Sequence, residues 1–431
     1  MLRQVEENKT NKWFRLDNAA KIYPAANTRR WSGMFRLSIS LKEKVNPDIL
    51  QTALEKTIVR FPSFNIRMRR GFFWYYFDSN EKRKPRLRKD VNNPCLPIGW
   101  NDDEGFLLRV YYYEKRIAID YFHSLTDGTG AMVFLKTLTA QYLKQMGKDV
   151  SYTDGVLDVT QEADEREFED AFMKFADSKV KSRVKEEKAY HIKGTKLSHG
   201  DISIITGVIP LESIKELAKK NKATITEYLA ALLLYSYYQE KLREGLYKKP
   251  SHISISIPLN LRNFFDSPTN RNFSLYLNPS IDTMMGEFTL EEIILQIQYF
   301  MKSNLNKKTL NAMMTQNVKI EKNIFIRIAP LFIKKLMMSI AHKIFAYRPI
   351  TASISNIGIV KLPKDMEEYV ERIEFLLGAA KNRTPNMAVV SYQDTLVINI
   401  TSMIEEREIE RFFFTHLIKE GVPVKIESNR E

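Results

Sequence analysis

The sequence contains a single cysteine, Cys95, among its 431 residues. A disulfide within the chain is therefore excluded, and so is a structural zinc site built from several thiolates. Five of the six histidines show no metal-ligand spacing, so we expect no metal site; they are His191, His199, His252, His342 and His416. The glycines form neither G-x-x-x-x-G-K-[ST] nor G-x-G-x-x-G, so the phosphate-binding motifs of nucleotide enzymes are missing.

Long hydrophobic runs are also absent. No stretch of about 18 apolar residues occurs, so we expect no membrane-spanning segment. The first residues, MLRQVEENKTNKWF, lack the apolar core and cleavage site of a secretory signal, which predicts a cytoplasmic protein. Residues 323–345 are the most apolar segment, yet they include Arg327, Lys334, Lys335 and Lys343. This segment is either a packed helix with its charges outside or a basic amphipathic helix that contacts lipid or borders an apolar substrate path.

The remaining composition is that of a globular protein with a basic surface. Hydrophobic residues make up 44% and charged residues 27% of the chain, enough to bury a sizeable core. The length suggests about two to three domains. Sixty-six Lys and Arg outnumber 52 Asp and Glu, which leaves a net charge of +14. This charge would attract nucleic acid, an anionic membrane surface or a phosphate-bearing small molecule, and it does not choose among them.

Both halves of the chain combine strand-like segments with helices of 3.6-residue periodicity, which predicts an α/β fold of two sandwich subdomains. We assign residues 1–155 to an N-terminal subdomain and residues 201–431 to a C-terminal subdomain. Between them, residues 156–200 are highly charged and poor in core residues, and they are predicted to form an exposed crossover linker. The aromatic run 72–77 is interpreted as a strand that packs into a core rather than as a surface for stacking nucleic-acid bases.

The richest local pattern is H-x-x-x-D-G in RIAIDYFHSLTDGTG, where a strand turns into a helix. His123 at the end of a strand could project its imidazole into a cleft and remove a proton near neutral pH. Asp127 could hold the loop through an ion pair with an arginine, and Gly128 gives the backbone room for the turn. The alternatives are that Asp127 or Ser124 only caps the helix and that His123 is a half-buried structural residue.

H-S-L-T-D-G, followed by G-A-M-V-F-L-K-T-L, resembles the active-site segment of the chloramphenicol-acetyltransferase-like acyltransferases. Three further segments resemble the family in the expected order: RFPSFNIRMRRGFFWYYF at 60–77, ISIPLNLRNFFDSPTNRNF at 255–273 and SISNIGIVKLP at 353–363. The resemblance spans nearly the whole chain and is greatest to bacterial proteins of the alcohol acetyltransferase group. This sequence differs from other branches of the family, because Phe122 stands before His123 where condensation domains and wax ester synthases often have a second histidine. The D-F-G-W-G segment of plant acyltransferases is also missing.

The resemblance implies two similar subdomains with a channel between them and His123 at mid-channel as the general base. It implies a salt bridge between Asp127 and an arginine, for which Arg262 is the candidate; the alternative is an ordinary surface arginine. The oxyanion donors would be backbone N–H groups from Thr126 to Gly128, or the side chains of Ser355 or Asn356.

The implied reaction transfers an acyl group, expected to be acetyl, from acyl-coenzyme A to an alcohol or amine. The acceptor attacks the thioester directly, without an acyl-enzyme. Acyl-coenzyme A is then a co-substrate, and no tightly bound cofactor is expected. An acyl carrier protein is the alternative donor, and a non-catalytic binding protein on the same fold is a further alternative. We expect no nucleic-acid partner; binding through charge alone would weaken steeply with salt. Cys95, in the loop N-P-C-L-P with no nearby histidine, is interpreted as structural.

Overall fold

The computed structural model describes residues 13–26, 33–177, 187–198, 201–245, 250–341, 344, 348–379 and 384–430. The strands in these ranges are β1 (Trp13–Arg15), β2 (Met34–Leu41), β3 (Ile66–Arg70), β4 (Tyr75–Ser79), β5 (Leu87–Lys89), β6 (Leu108–Tyr113), β7 (Arg116–Phe122), β8 (Ser203–Pro210), β9 (His252–Asn260), β10 (Ser274–Leu277), β11 (Ser280–Asp282), β12 (Ala352–Val360), β13 (Val370–Leu377), β14 (Asn386–Tyr392), β15 (Thr395–Ser402) and β16 (Lys425–Ser428).

The α-helices in the same ranges are α1 (Ile22–Ala26), α2 (Pro47–Arg60), α3 (Gly128–Gln145), α4 (Ala171–Phe175), α5 (Leu211–Lys220), α6 (Ile225–Arg243), α7 (Leu290–Asn304), α8 (Lys307–Lys322), α9 (Ile324–Ile328), α10 (Leu331–Ala341), α11 (Lys364–Glu367) and α12 (Glu408–Lys419). Their starts follow local sequence signals. Asn46 caps α2, with proline at the first helical position, and Thr224 forms a capping box with Glu227 at the start of α6.

Two large sheets and one small sheet organise the described residues. The five-stranded sheet has the order β13-β2-β7-β6-β5, and the eight-stranded sheet has the order β10-β9-β12-β14-β15-β8-β16, with β11 paired to β9. The small sheet has the order β1-β4-β3. Because β4 begins only at Tyr75, the prediction of a core strand over 72–77 is wrong for Phe72 and Phe73, which lie exposed in the turn before it. Strand β13 comes from the C-terminal half of the chain, yet it pairs antiparallel with β2 of the N-terminal half. The sheet of the first half is therefore completed by a strand of the second.

Strand β14 belongs to both hydrophobic cores. Successive side chains of a strand point to opposite faces, so alternate residues enter different layers. Ala388 and Val390 join the core of the N-terminal half. Met387 and Val389 join the core of the C-terminal half. All seven residues of β14 are buried, which explains why its sequence shows no polar alternation.

The predicted linker at 156–200 contacts both halves where it is described. Glu167 accepts two hydrogen bonds from the Arg60 guanidinium of α2, at 2.7 and 2.8 Å. The carbonyl oxygen of the same residue accepts a hydrogen bond from the backbone N–H of Asn270, at 2.6 Å. This segment therefore attaches the loop before β10 to the N-terminal half.

The described part of the segment 323–345 departs from the first of its two interpretations, a packed helix with its charges outside; Lys343 lies outside the described residues. The helix is interrupted before Pro330, because proline cannot continue a helix. The segment therefore forms two helices, α9 and α10. Lys334 is buried, whereas Phe325, Phe332 and Leu336 are exposed. Within the described residues, no helix is long and apolar enough to cross a bilayer.

Candidate functional site

The H-x-x-x-D-G motif lies at the turn between β7 and α3, as its sequence predicts. Strand β7 ends at Phe122 and helix α3 begins at Gly128. The backbone N–H of His123 donates to the carbonyl of Gly33, at 2.8 Å, which continues the pairing with β2 just beyond the end of β7. Asp127 is the N-cap residue of α3, where one carboxylate oxygen accepts from the N–H groups of Thr129 and Gly130 at 3.2 Å each.

The second carboxylate oxygen of Asp127 reaches the C-terminal half. It lies 2.9 Å from a terminal nitrogen of Arg262, and it accepts from the backbone N–H of Phe273 at 2.8 Å. The side chains of Asp127 and Arg262 are 6% and 12% exposed. Asp127 therefore serves as a helix cap and as one partner of a nearly buried ion pair, so the two roles considered from the sequence occur together.

The Arg262 guanidinium organises the loop that leads to β10. It donates to the carbonyl of Thr269 from two nitrogens, at 2.8 and 2.9 Å, and to the carbonyl of Arg271 at 2.7 Å. The same guanidinium reaches the side-chain oxygen of Asn260 at 3.1 Å. The planar fork of arginine suits several acceptors at once. Through this residue, Asp127 controls the position of residues 269–273.

The loop at 269–273 lies along the motif. The Thr126 hydroxyl donates to the carbonyl of Asn270 at 2.6 Å, and His123 Nδ1 lies 3.0 Å from Asn272 Oδ1. Together with the bond from the Phe273 N–H to Asp127, these contacts join the two segments residue by residue. The His123 ring therefore lies where the two halves of the chain meet.

The imidazole of His123 is partly buried among aromatic rings. The ring of Tyr23 stacks on it, with centroids 4.6 Å apart and an interplanar angle of 9°. The ring of Phe35 meets it edge-on at 5.0 Å. Burial disfavours the imidazolium and lowers the pKa of His123, and this effect outweighs the opposing influence of the residue's own backbone, of Asp127 and of Asn272. At pH 6.5, the His123 ring is consequently neutral in a larger fraction of the molecules than a solvated histidine would be.

The contact with Asn272 defines the tautomer of His123. The amide nitrogen of Asn272 lies 3.4 Å from Asp17 Oδ2 and 3.5 Å from the carbonyl oxygen of Ser124, and a backbone carbonyl oxygen can only accept. The amide oxygen of Asn272 then faces the imidazole and accepts a hydrogen bond from Nδ1–H. Nε2 therefore carries the lone pair of the ring and could accept a proton.

Asp17 is a buried carboxylate behind Asn272, and the sequence analysis did not identify it. It lies 3.5 Å from the Arg271 guanidinium and accepts from the backbone N–H of Ala20 at 2.7 Å. Burial raises the pKa of Asp17, although Arg271 opposes the shift. Asn272 lies in the segment 255–273 that carries the family resemblance, so a search for polar residues there could have found it. Asp17 has no local signal, because its partner lies 255 positions away.

The two glycines at the start of α3 have different environments. A Cβ atom on Gly128 would meet only Ile357, at 3.5 Å from Cδ1, which is an ordinary contact. A Cβ on Gly130 would overlap the carbonyl oxygen of Asn270 and the Thr126 hydroxyl. The close approach of helix and loop therefore requires glycine at position 130, which the sequence analysis did not identify.

We expect Gly130→Ala to lower the free energy of unfolding by about 2 kcal/mol, because the added methyl group forces the Asn270 backbone away from α3. The matched variant Gly128→Ala should change it by less than about 0.5 kcal/mol. Chemical denaturation of both variants measures the difference. Equal stabilities would show that the helix and the loop do not approach as closely as described here.

The side-chain candidates for the substrate channel or the oxyanion site are Thr126, Asn356 and Ser355. Thr126 is buried, and its hydroxyl is engaged with Asn270. The side chain of Asn356 donates to the Thr226 hydroxyl at 3.0 Å and accepts from the Gly358 N–H at 2.8 Å. Ser355 is partly buried beside it on β12.

Neither the cysteine nor the possible metal ligands among the described residues form a second site. Cys95 is buried with its backbone N–H on Asp120 at 3.0 Å, and burial raises the pKa of its thiol, which opposes a role as nucleophile. In the part of the chain that the structure describes, no three or more His, Cys, Asp or Glu side chains are grouped so that they could hold a metal ion.

The chain matches no family model and, by sequence, no curated protein. Solved structures match nearly its whole length. Trichothecene 15-O-acetyltransferase from Fusarium sporotrichioides is 11% identical, with a TM-score of 0.60 over 97% of this chain and 96% of that chain. Wax ester synthase/diacylglycerol acyltransferase from Marinobacter aquaeolei is also 11% identical, with a TM-score of 0.56 over 94% and 98%. A starter condensation domain of rhizomide synthetase, in complex with C8-CoA and Leu-SNAC, is 11% identical, with a TM-score of 0.59 over 95% of this chain and 94% of that chain.

These likenesses confirm the predicted fold class. The chain has the two-subdomain α/β fold of condensation domains and chloramphenicol-acetyltransferase-like acyltransferases. On this fold, His123 lies where the two halves of the chain meet, with its Nδ1 3.0 Å from Asn272 Oδ1.

Proposed function

We propose that this protein is an acyltransferase that moves an acyl group from acyl-coenzyme A to an alcohol or amine, with acetyl as the proposed acyl group. The observation that carries the proposal is the contact between His123 Nδ1 and Asn272 Oδ1 at 3.0 Å. It leaves the Nε2 lone pair for a substrate proton. The resemblance of the motif to the alcohol acetyltransferase group supports the choice of donor and acceptor.

In the proposed reaction, His123 Nε2 takes the proton of the acceptor O–H or N–H as the acceptor attacks the thioester carbonyl carbon. The carbonyl π electrons move to oxygen, and the N–H of Gly128 is a candidate donor to the resulting oxyanion. When the tetrahedral intermediate collapses, the C–S bond breaks and the thiolate takes the proton from the imidazolium. Atoms and charges balance without an acyl-enzyme, and the neutral base is regenerated.

The other proposed site residues act through position. Asp127 pairs with Arg262, Arg262 holds the loop at 269–273, and Asn272 in that loop orients the imidazole. Ser355 and Asn356 stay weaker candidates for the channel wall. We propose that acyl-coenzyme A is used without a tightly bound cofactor. The net charge of +14 supports attraction of its phosphates.

A second candidate donor is an acyl group on a carrier protein. The likeness to condensation domains favours it. Carrier proteins are usually acidic, so the basic surface suits them as well. The acceptor and the role of His123 would be unchanged, and only the origin of the thioester would differ.

The test is a steady-state assay with acyl-coenzyme A of several chain lengths and a panel of alcohols and amines. Released thiol and the ester or amide product are both measured, and the same acyl group is then presented on a carrier protein. Turnover with coenzyme A alone supports the first donor, and turnover with the carrier alone supports the second. Tight acyl-coenzyme A binding with no product from either donor would indicate a non-catalytic binding protein.

We expect kcat/KM to rise with pH and to reach half of its maximum below pH 6.5. The proposed base is active only when neutral, and burial lowers the pKa of His123 below its ordinary 6.5. Protonation at lower pH therefore removes activity, and activity levels off above this range. A pH profile measured at saturating acceptor and limiting acyl-coenzyme A tests this. A midpoint near 8 would assign the essential base to another group.

A further inference from the structure

Helices α9 and α10 present large apolar side chains to solvent beside the turn between β3 and β4. We call this region the α9–α10 surface. Its members are largely exposed; they are Phe72, Phe73, Phe325, Ile328, Phe332 and Leu336. Exposed apolar side chains are common singly, but a contiguous group marks an interaction site.

Lys334 joins the two parts of the α9–α10 surface. Its side chain is buried, and its ammonium donates to the carbonyl of Phe73 at 3.0 Å and to the carbonyl of Arg327 at 2.9 Å. The ammonium also lies 4.1 Å from the centre of the Trp74 ring, a favourable cation–π distance. A further bond joins the Leu331 N–H to the Phe72 carbonyl at 2.9 Å. The apolar side chains therefore project from a fixed backbone.

The charges along the chain segment that carries α9 and α10 have one sign. No Asp or Glu occurs between Lys322 and Lys364. Lys322, Arg327 and Lys335 are exposed. The nearest acid before this stretch, Glu321, bonds inward to Lys21 and Asn18. An apolar group bordered by cations is the pattern of elements that lie in the interface of an anionic membrane.

We propose that the α9–α10 surface docks this protein on an anionic lipid bilayer. A second copy of the chain would bring the same cations face to face, which opposes self-association. A folded protein partner needs hydrogen-bonding side chains to orient it. The run IFIRIAPLFI at 324–333 has only Arg327 as a polar side chain, and a bilayer requires no such orientation.

The α9–α10 surface is connected to the candidate site through α1. Helix α10 packs against α1, and α1 carries Tyr23, whose ring stacks on His123. Lys21, just before α1, also lies 5.7 Å from the centre of the Trp74 ring. Docking would therefore bring the bilayer next to the element that supports the histidine.

The test measures co-sedimentation of the full chain with phosphatidylcholine vesicles, with and without about one-third phosphatidylserine. We expect the wild-type protein to bind the anionic vesicles more tightly than the neutral ones. The triple variant Phe325→Ser, Phe332→Ser and Leu336→Ser should weaken binding by about tenfold or more for each side chain that enters the bilayer. The double variant Arg327→Glu and Lys335→Glu should remove the preference for phosphatidylserine.

The control variant makes the same change to serine at exposed apolar residues outside the α9–α10 surface: Val59→Ser, Met285→Ser and Tyr299→Ser. The three control side chains are 69% to 80% exposed, and the three test side chains are 64% to 76% exposed. Both triple variants should keep the wild-type melting temperature, because neither removes a buried side chain. Only the first should lose vesicle binding.

Two results would overturn the proposal. The wild-type protein could fail to bind either kind of vesicle, or the α9–α10 triple variant could bind vesicles as tightly as the wild type. In the second case, a dimer or a complex with an acidic carrier protein that the same variant abolishes would identify a different occupant of the surface. Because vesicle binding needs no turnover, these results are independent of the proposed enzymatic function.

Discussion

His123→Ala is expected to lower kcat for acyl transfer by about 10²–10⁴, because it removes the proposed acceptor for the substrate proton. The loss should appear in kcat more than in KM, since the base acts as the acceptor attacks. The ring is partly buried beside Tyr23 and Phe35, so its removal also affects packing. The melting temperature should therefore be measured with the kinetics, to separate loss of the base from loss of the fold.

The matched control is His252→Ala, since His252 is a partly buried histidine on β9 outside the candidate site. It should leave kcat near the wild-type value. Asn272→Ala should lower kcat less than His123→Ala does, because the imidazole remains but its tautomer and orientation are no longer fixed. A folded His123→Ala protein with unchanged kcat would remove His123 from the reaction.

Asp127→Asn and Arg262→Ala are each expected to lower the free energy of unfolding by about 3–5 kcal/mol. Removing one partner of a buried ion pair leaves the other charge without compensation. Asparagine at 127 retains the cap of α3, so this variant isolates the lost charge from the lost cap. The double variant should cost clearly less than the sum of the two single variants, because the pair is then absent as a whole.

Chemical denaturation of the four proteins in this cycle gives the coupling free energy. The exposed ion pair of Arg166 with Asp266 supplies a control, since Asp266→Asn should have little effect on stability. Additive effects at Asp127 and Arg262 would contradict the coupling between them. Both single variants should also lower kcat, because Arg262 holds the loop that carries Asn272.

Much of the secondary structure follows from local sequence signals. Asn46 with the proline after it predicts the start of α2, and the Thr224 capping box predicts the start of α6. The turn at His123 to Gly128 is likewise marked by an apolar strand before it and a helical pattern after it. Each of these signals acts within one or two turns of the chain, so the residues concerned are neighbours in sequence and in space.

The partners within the site are not local. His123 is separated from Asn272 by 149 positions, and Asp127 from Arg262 by 135. The family resemblance suggested Arg262, whereas Asn272, Asp17 and Gly130 were found only in the structure. Gly130 looks ordinary in sequence, because its constraint is the carbonyl of a distant loop and not its own backbone conformation.

Local sequence signals were enough to predict the starts of α2 and α6 and the turn that presents His123, because backbone propensities and capping operate over a few residues. The packed structure was needed to assign the proton of the neutral His123 ring to Nδ1 and to find which side of residues 323–341 faces water. Periodicity defines the faces of an element, but the packing of distant parts of the chain decides which face is covered. That packing buried Lys334 and left Phe325 and Leu336 in solvent.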